Sequence, residues 1–187
     1  MSKREEADNI VQSHVLWSMG AGLIPLPLID LAAVTAIQMD MLQELANLYE
    51  VEYSKSVGNK FATALTGSTF AKLGASLVKA LPGIGSIIGG FSMSVVSGAS
   101  TYAVGQITID HFEANGDFSN LDLKQAKKAY KEAFEEGKEV VSNLEKEQSE
   151  TSSDVFETLE QLSKLKDKGI ITEEDFEAQK DKLLSRL

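Results

Sequence analysis

The chain contains no cysteine and only two histidines among its 187 residues. Without cysteine it can form neither a disulfide nor a thiolate metal site, which fits a reducing compartment. No Glu-x-x-His spacing accompanies the histidines, so we expect no metal centre. The sequence also lacks a Gly-x-Ser-x-Gly motif and a Gly-x-x-x-x-Gly-Lys-Ser/Thr phosphate loop. We therefore expect a protein that is not an enzyme and that binds no cofactor.

Positive charge is scarce, and the formal net charge is −10 at pH 7. A protein that binds nucleic acid needs a cationic face to neutralise phosphates, so this class is excluded. The same balance argues against general electrostatic attraction to anionic lipid. Residues 1–110 carry six Lys or Arg against nine Asp or Glu, whereas residues 111–187 carry twelve against nineteen. The N-terminal part of the chain is thus more apolar, and the C-terminal part is charged and is expected to be solvated.

A stretch of 29 residues, Leu81–Ile109, carries no charge at all. As one helix it would be roughly 44 Å long, enough to cross a hydrocarbon core of about 30 Å. Its glycine and serine content makes membrane insertion marginal. Three fates stay open: a membrane span, a core helix of a soluble bundle, or a membrane-contacting hairpin formed with Val15–Met39. In each case the stretch must be sheltered from water.

This uncharged stretch is predicted to have two faces. Large apolar side chains form one face, and we expect them to contact a membrane or other helices; they are Ile84, Ile88, Phe91 and Val95. Small residues form the other face, which would allow a neighbouring helix to approach closely; the glycines concerned are Gly85, Gly89, Gly98 and Gly105.

Helix signals occur along the rest of the chain. Ser2 followed by Glu5 is typical of a capping box at the start of a first helix. Asp30 is predicted to cap a second helix that runs to about Tyr49. Ser54 and Ser68 are predicted to cap two shorter helices that separate near Gly67. A charged amphipathic helix is predicted over residues 121–147, followed by a flexible linker over residues 148–153. We expect the charged helix to project as a spacer.

The chain ends in a predicted helical hairpin. Gly169 is placed to end its first helix, and Thr172 with Asp175 forms a capping box for the second. About thirty residues bury too little surface to be very stable alone, so we expect the hairpin to dock on a copy of itself, on the main domain or on another protein. The residues predicted to bind a partner are Leu159, Leu162, Phe176, Leu183 and Leu184.

Taken together, these patterns predict an all-α fold: a helical bundle with an apolar, glycine-rich helical hairpin, plus a small C-terminal helical hairpin. The expected domains are an apolar helical domain over residues 1–118, a charged helix and linker over residues 119–150, and the C-terminal hairpin over residues 151–187.

Two signatures within residues 10–120 resemble the bacterial family known as "domain of unknown function 697". The first is proline-rich and the second glycine-rich; they comprise Ile24–Leu31 with Thr35–Met39, and Leu81–Ser86 with Thr101–Gly105 and Asp110–Gly116. The resemblance implies an all-helical, often membrane-associated domain that is frequently fused to or encoded near GTPases. Since this chain has no phosphate loop, such a GTPase would be a separate protein. No catalytic residue can be carried over from the family.

The last thirty residues are similar to the short C-terminal domain called SHOCT. The similarity rests on the segment Gly169–Phe176, which reads Gly-Ile-Ile-Thr-Glu-Glu-Asp-Phe, and on the flanking leucines. Domains of this kind are proposed oligomerisation or interaction units, so the resemblance implies a homo-oligomer or a protein partner.

These observations predict a non-enzymatic, membrane-associated accessory or scaffold protein that self-associates or recruits a partner. The acidic N-terminus is unlike a signal peptide, so we expect a cytoplasmic protein at the inner face of, or within, the cytoplasmic membrane. The alternative is a soluble helical oligomer that serves as an assembly, shell or cargo component without lipid contact.

Overall fold

The computed structural model describes residues 1–21, 27–77, 87–88, 91–149 and 154–184. Nearly all of them are helical, in α1 (Lys3–Ala21), α2 (Pro27–Tyr49), α3 (Lys55–Leu77), α4 (Met93–Glu113), α5 (Leu123–Ser149), α6 (Asp154–Asp167) and α7 (Glu173–Leu184). Two short strands, β1 (Ile87–Ile88) and β2 (Phe91–Ser92), pair antiparallel immediately before α4. The prediction of an all-α bundle is confirmed.

Helix α4 is the central element of the bundle. Fifteen of its 21 residues are buried, among them Val95, Val104 and Ile109. Helix α1 runs antiparallel to it, since Arg4 bonds to Asp110 near one end of α4 while residue 19 contacts residue 98 near the other. Helices α2, α3 and α5 complete a single core around these two. Most of the uncharged residues within α4 are thus sheltered within one chain.

Two glycines of α4 allow this close packing. A Cβ atom built on Gly105 would lie 2.5 Å from Cγ2 of Val11 on α1. One built on Gly98 would lie 2.8 Å from Cγ1 of Val141 on α5 and 2.9 Å from Cγ of Met19 on α1. Real Cβ contacts are longer than this, so α4 can lie against α1 and α5 at these points only because the side chain is missing.

The prediction of one long helix over the uncharged stretch is wrong, because α4 begins only at Met93. Ser92 caps it: its Oγ accepts a hydrogen bond from the backbone N–H of Val95 and donates one to Glu145 on α5. The absence of charge over residues 81–109 therefore does not indicate that they form one continuous helix.

Three further predictions about the helices are corrected. Helix α2 begins at Pro27, so Asp30 lies inside it and not at its cap; proline is well suited to a first helical position. Helix α3 continues through Gly67 without a break, although Ser54 does cap it, with its Oγ accepting from the N–H of Val57. Helix α5 does not project as a spacer, because it lies along α4 and places Tyr130 and Val141 in the core.

The half-buried Tyr102 gives a test of the contact between α4 and α5. Its hydroxyl donates a hydrogen bond of 3.1 Å to Glu136, and burial together with this carboxylate raises the pKa of Tyr102 from 10.0 to about 12. As the pH rises, Tyr102 loses its proton at a lower pH in the unfolded chain than in the folded chain. The contribution of Tyr102 to the free energy of unfolding is therefore complete below pH 10 and is lost towards pH 12. In urea unfolding between pH 9 and 12, Tyr102→Phe should lose stability less steeply than the native chain, and parallel profiles would contradict this assignment.

Candidate functional site

The candidate site is the contact between the C-terminal hairpin, formed by α6 and α7, and the helices α1 and α2. The hairpin is built by local signals. Gly169 adopts a φ of +70°, a left-handed conformation that suits glycine at the end of a helix. Thr172 and Asp175 exchange the predicted capping bonds, with the N–H of Asp175 donating to Thr172 Oγ1 and the N–H of Thr172 donating back. Both predictions for this turn are confirmed.

An apolar contact joins the hairpin to α2. Ala33 and Ile37 are buried against Leu162, Leu165, Ile171 and Leu183 of the hairpin. Partly buried side chains surround this cluster: Trp17, Leu159, Ile170 and Phe176. We call the surface formed by Trp17, Ala33, Ile37 and Asp40 the docking seat. Its apolar cluster is separate from the main core.

Lys168 lies at the edge of the docking seat. The ammonium of Lys168 bonds to Oδ2 of Asp40 and lies 4.0 Å from the centroid of the Trp17 ring. Hydrogen bonds from His14 and Lys168 outweigh the effect of burial and lower the pKa of Asp40 to about 2. Asp40 is therefore ionised at neutral pH, and it links the hairpin electrostatically to α2.

The other side of Asp40 faces a fully buried imidazole. His14 on α1 donates from Nδ1 to the backbone carbonyl of Ile10, at 2.8 Å. Its Nε2 lies 3.3 Å from Oδ2 of Asp40 and 3.9 Å from Oε1 of Glu44. Asp40 and Glu44 are one turn apart on α2, so both carboxylates face the same point on α1. The ligand atoms of these three residues all lie within 4.8 Å of one another.

An open groove of about 610 Å³ leads to this cluster. It runs between α2 and the hairpin turn, with Ala36, Asp40 and Gln43 on one side and Lys168 and Ile170 on the other. Solvent and small ions thus reach Asp40 although His14 is enclosed.

The predicted site residues divide into three groups. Gly98, Gly105 and Val95 lie in the bundle core. Leu162 and Leu183 are buried at the docking seat, and Leu159 and Phe176 pack at its edge. The remaining positions fall outside the described residues or side chains; these are Gly85, Gly89, Ile84, Ile88, Phe91 and Leu184.

Sequence reasoning missed Asp40, Glu44 and Lys168. It found no ligand near His14, because the two carboxylates that face this residue are 26 and 30 residues away on another helix. The one local signal in the sequence was the i, i+4 spacing of Asp40 and Glu44, which places both carboxylates on one face of a helix. His111, the other histidine, donates from Nε2 to the carbonyl of Asp117 at the end of α4 and joins no such cluster among the described residues.

In the part of the chain that the structure describes, no helix combines the length and the apolar character needed to span a bilayer.

Comparisons with known proteins agree with the two resemblances in the sequence. A family model described as "Domain of unknown function (DUF697)" matches residues 2–139, and a model described as "Short C-terminal domain" matches residues 157–184. A curated relative, "Magnetosome membrane protein 22" of Magnetospirillum gryphiswaldense, is 36% identical over 143 residues, which is 74% of this chain and 73% of the relative. No solved structure matches the chain. The chain belongs to the DUF697 family and carries a short C-terminal domain after the family's helical region.

Proposed function

We propose that this chain is a non-enzymatic, membrane-associated accessory protein whose C-terminal hairpin is a releasable interaction module. The observation that carries the proposal is the docking of the hairpin on α1 and α2 of the same chain. A permanent structural element would be expected to share the main core, whereas this one has a small cluster of its own.

The docking contact is of a kind that can open. The ion pair between Lys168 and Asp40 is about one third exposed on each side, and such pairs contribute only about 0–1 kcal/mol. The apolar part rests on Ala33 and Ile37, of which alanine offers little surface. On release, Leu162, Leu165 and Leu183 would face solvent, and burying them again on another molecule would be favourable.

The partner of the released hairpin is a protein surface with a matching apolar strip. A second copy of the chain offers one by exchange of hairpins, which would give a homo-oligomer. A separate protein is the other candidate. Because members of this family are often encoded near GTPases, a GTPase is the first such protein to test.

Membrane association is proposed from two lines of support. The relative from Magnetospirillum is named as a membrane protein, and it shares most of its length with this chain. The sequence also has uncharged residues that α4 does not account for, in the stretch 80–92. Because the net charge is −10, attachment to lipid at the inner face of the cytoplasmic membrane would be apolar in origin and would not depend on anionic headgroups.

Flotation with vesicles tests the membrane part of the proposal. Protein produced without detergent should float with vesicles of phosphatidylethanolamine and phosphatidylglycerol, and equally well with neutral phosphatidylcholine vesicles and in high salt. A chain truncated after Ser149 should still float, since the hairpin is assigned to partners and not to lipid. Failure of both chains to float would overturn the membrane assignment.

A second function is favoured by the enclosure of α4 in the core of one chain. A soluble helical oligomer, acting as an assembly, shell or cargo component, would need no lipid. It predicts that the protein stays at the bottom of the flotation gradient while light scattering gives a defined oligomer.

A further inference from the structure

The geometry points to a binding site for a divalent transition-metal ion formed by His14, Asp40 and Glu44, and we propose that Lys168 competes with the metal for Asp40. This inference does not depend on the function proposed above. It goes against the expectation from sequence that the chain holds no metal.

The orientation of His14 is the first argument. The carbonyl oxygen of Ile10 can only accept a hydrogen bond, so the Nδ1 atom of His14 must carry the proton. Nε2 faces the oxygens of Asp40 and Glu44. When Nε2 carries a proton it donates to Asp40, and when it does not, its lone pair and those of the two carboxylates repel one another unless a cation lies close to them. Lys168 supplies a positive charge at Asp40 alone, whereas a metal ion between the three atoms would supply it to all of them. Histidine ligands of metals are commonly oriented in this way, by a hydrogen bond from the second ring nitrogen to a backbone carbonyl.

The spacing of the three atoms is the second argument. Ligands at about 2.0–2.2 Å from a tetrahedral ion lie roughly 3.4 Å apart. The distance from His14 Nε2 to Asp40 is 3.3 Å, and that to Glu44 is 3.9 Å. The Glu44 side chain is almost half exposed and free to adjust. A rotation of this one side chain would therefore bring the set to coordination distance without moving the helices.

The ligand types select the class of ion. One imidazole and two carboxylates suit Zn²⁺, Co²⁺, Fe²⁺ or Mn²⁺, whereas Mg²⁺ and Ca²⁺ prefer sets made only of oxygen. The fourth position would be filled by water, which the groove beside Asp40 can supply.

Lys168 explains how the site can be regulated. Its ammonium already occupies Oδ2 of Asp40, the same oxygen that faces His14. A metal ion and this ammonium repel each other and use one acceptor, so each must weaken the binding of the other. Among the described residues, His14 is the only histidine with two carboxylates in reach.

Nuclear magnetic resonance on the untagged full chain tests the site directly, because there are only two imidazoles to observe. Substoichiometric Co²⁺ should perturb the ring signals of His14 far more strongly than those of His111, and a chelator should reverse the effect. Perturbation of both rings to the same degree, or of neither, would overturn the proposal.

Zn²⁺ titration calorimetry on matched variants completes the test. Glu44→Gln should weaken binding about tenfold or more, while Glu52→Gln, an exposed loop carboxylate, should leave it unchanged. Lys168→Gln should tighten binding several-fold, whereas Lys164→Gln, whose lysine pairs with Glu160 on the surface, should not. Equal affinities for the native chain, Glu44→Gln and Glu52→Gln would overturn the proposed site. Mg²⁺ should bind none of these proteins at comparable concentration.

Discussion

Replacing Gly105 by alanine is expected to destabilise the bundle by about 1 kcal/mol. The new Cβ would lie 2.5 Å and 2.8 Å from the two γ carbons of Val11, and also 3.2 Å from its Cβ. Valine has one strongly preferred rotamer in a helix, so it cannot turn aside. Overpacking of this kind costs about 1–3 kcal/mol, of which the better helix propensity of alanine returns about 1 kcal/mol. Urea unfolding followed by circular dichroism measures the net loss.

Gly67→Ala is the matched control for this prediction. Gly67 is also helical, but the nearest atom to an added Cβ is Thr63 Cγ2 at 4.0 Å, which leaves open space. This variant should gain up to about 1 kcal/mol from propensity alone. The double variant Val11→Ala with Gly105→Ala should lose less free energy of unfolding than the two single variants lose together, because alanine at position 11 removes the clash with the new Cβ. If Gly105→Ala and Gly67→Ala behaved alike, the close approach of α1 and α4 would be wrong.

Truncating Leu165 to alanine is expected to release the C-terminal hairpin while the main bundle stays folded. Leu165 is completely buried in the cluster that holds the hairpin on α2. Removing such a leucine costs about 2–5 kcal/mol, which is a large share of what so small a contact supplies. Hydrogen exchange should become fast over residues 158–184 and stay slow in α4 and α5.

Fluorescence gives a second readout of this release. Trp17 is the only tryptophan of the chain, and it lies in the docking seat under Lys168. Its emission should shift to longer wavelength in Leu165→Ala because the ring becomes more exposed. Leu123→Ala, which removes a leucine that is 47% exposed, should change neither exchange nor emission. Unchanged Trp17 emission in Leu165→Ala would contradict the docked arrangement.

Features set by neighbouring residues were predictable from the sequence. The capping bonds between Ser2 and Glu5, like those between Thr172 and Asp175, join residues three positions apart, so the sequence displays them directly. The left-handed Gly169 is a local signal of the same kind. Where local preference competes with packing, prediction was wrong. Gly67 disfavours a helix by about 1 kcal/mol, yet α3 runs through it because Phe61 and Leu65 bury one face against the core.

The candidate site could not be predicted, because it depends on which helices lie side by side. His14 meets Asp40 across the pair α1 and α2, and Lys168 reaches the same carboxylate from 128 residues away. No spacing in the sequence encodes these encounters. They follow from the register of α1, which is set by Gly105 against Val11 and by the hydrogen bond between Ser18 and Thr101.

A distance measurement by pulsed electron spin resonance tests the docking of the hairpin most directly. Because the chain has no cysteine, spin labels can be placed on Asn47→Cys in α2 and Glu174→Cys in α7, both at exposed positions away from the seat. Docking within one chain predicts one narrow distance that persists when labelled protein is diluted with an excess of unlabelled protein, and that broadens in Leu165→Ala. A broad distribution in the otherwise native chain, or a narrow distance that disappears on dilution, would contradict docking within one chain.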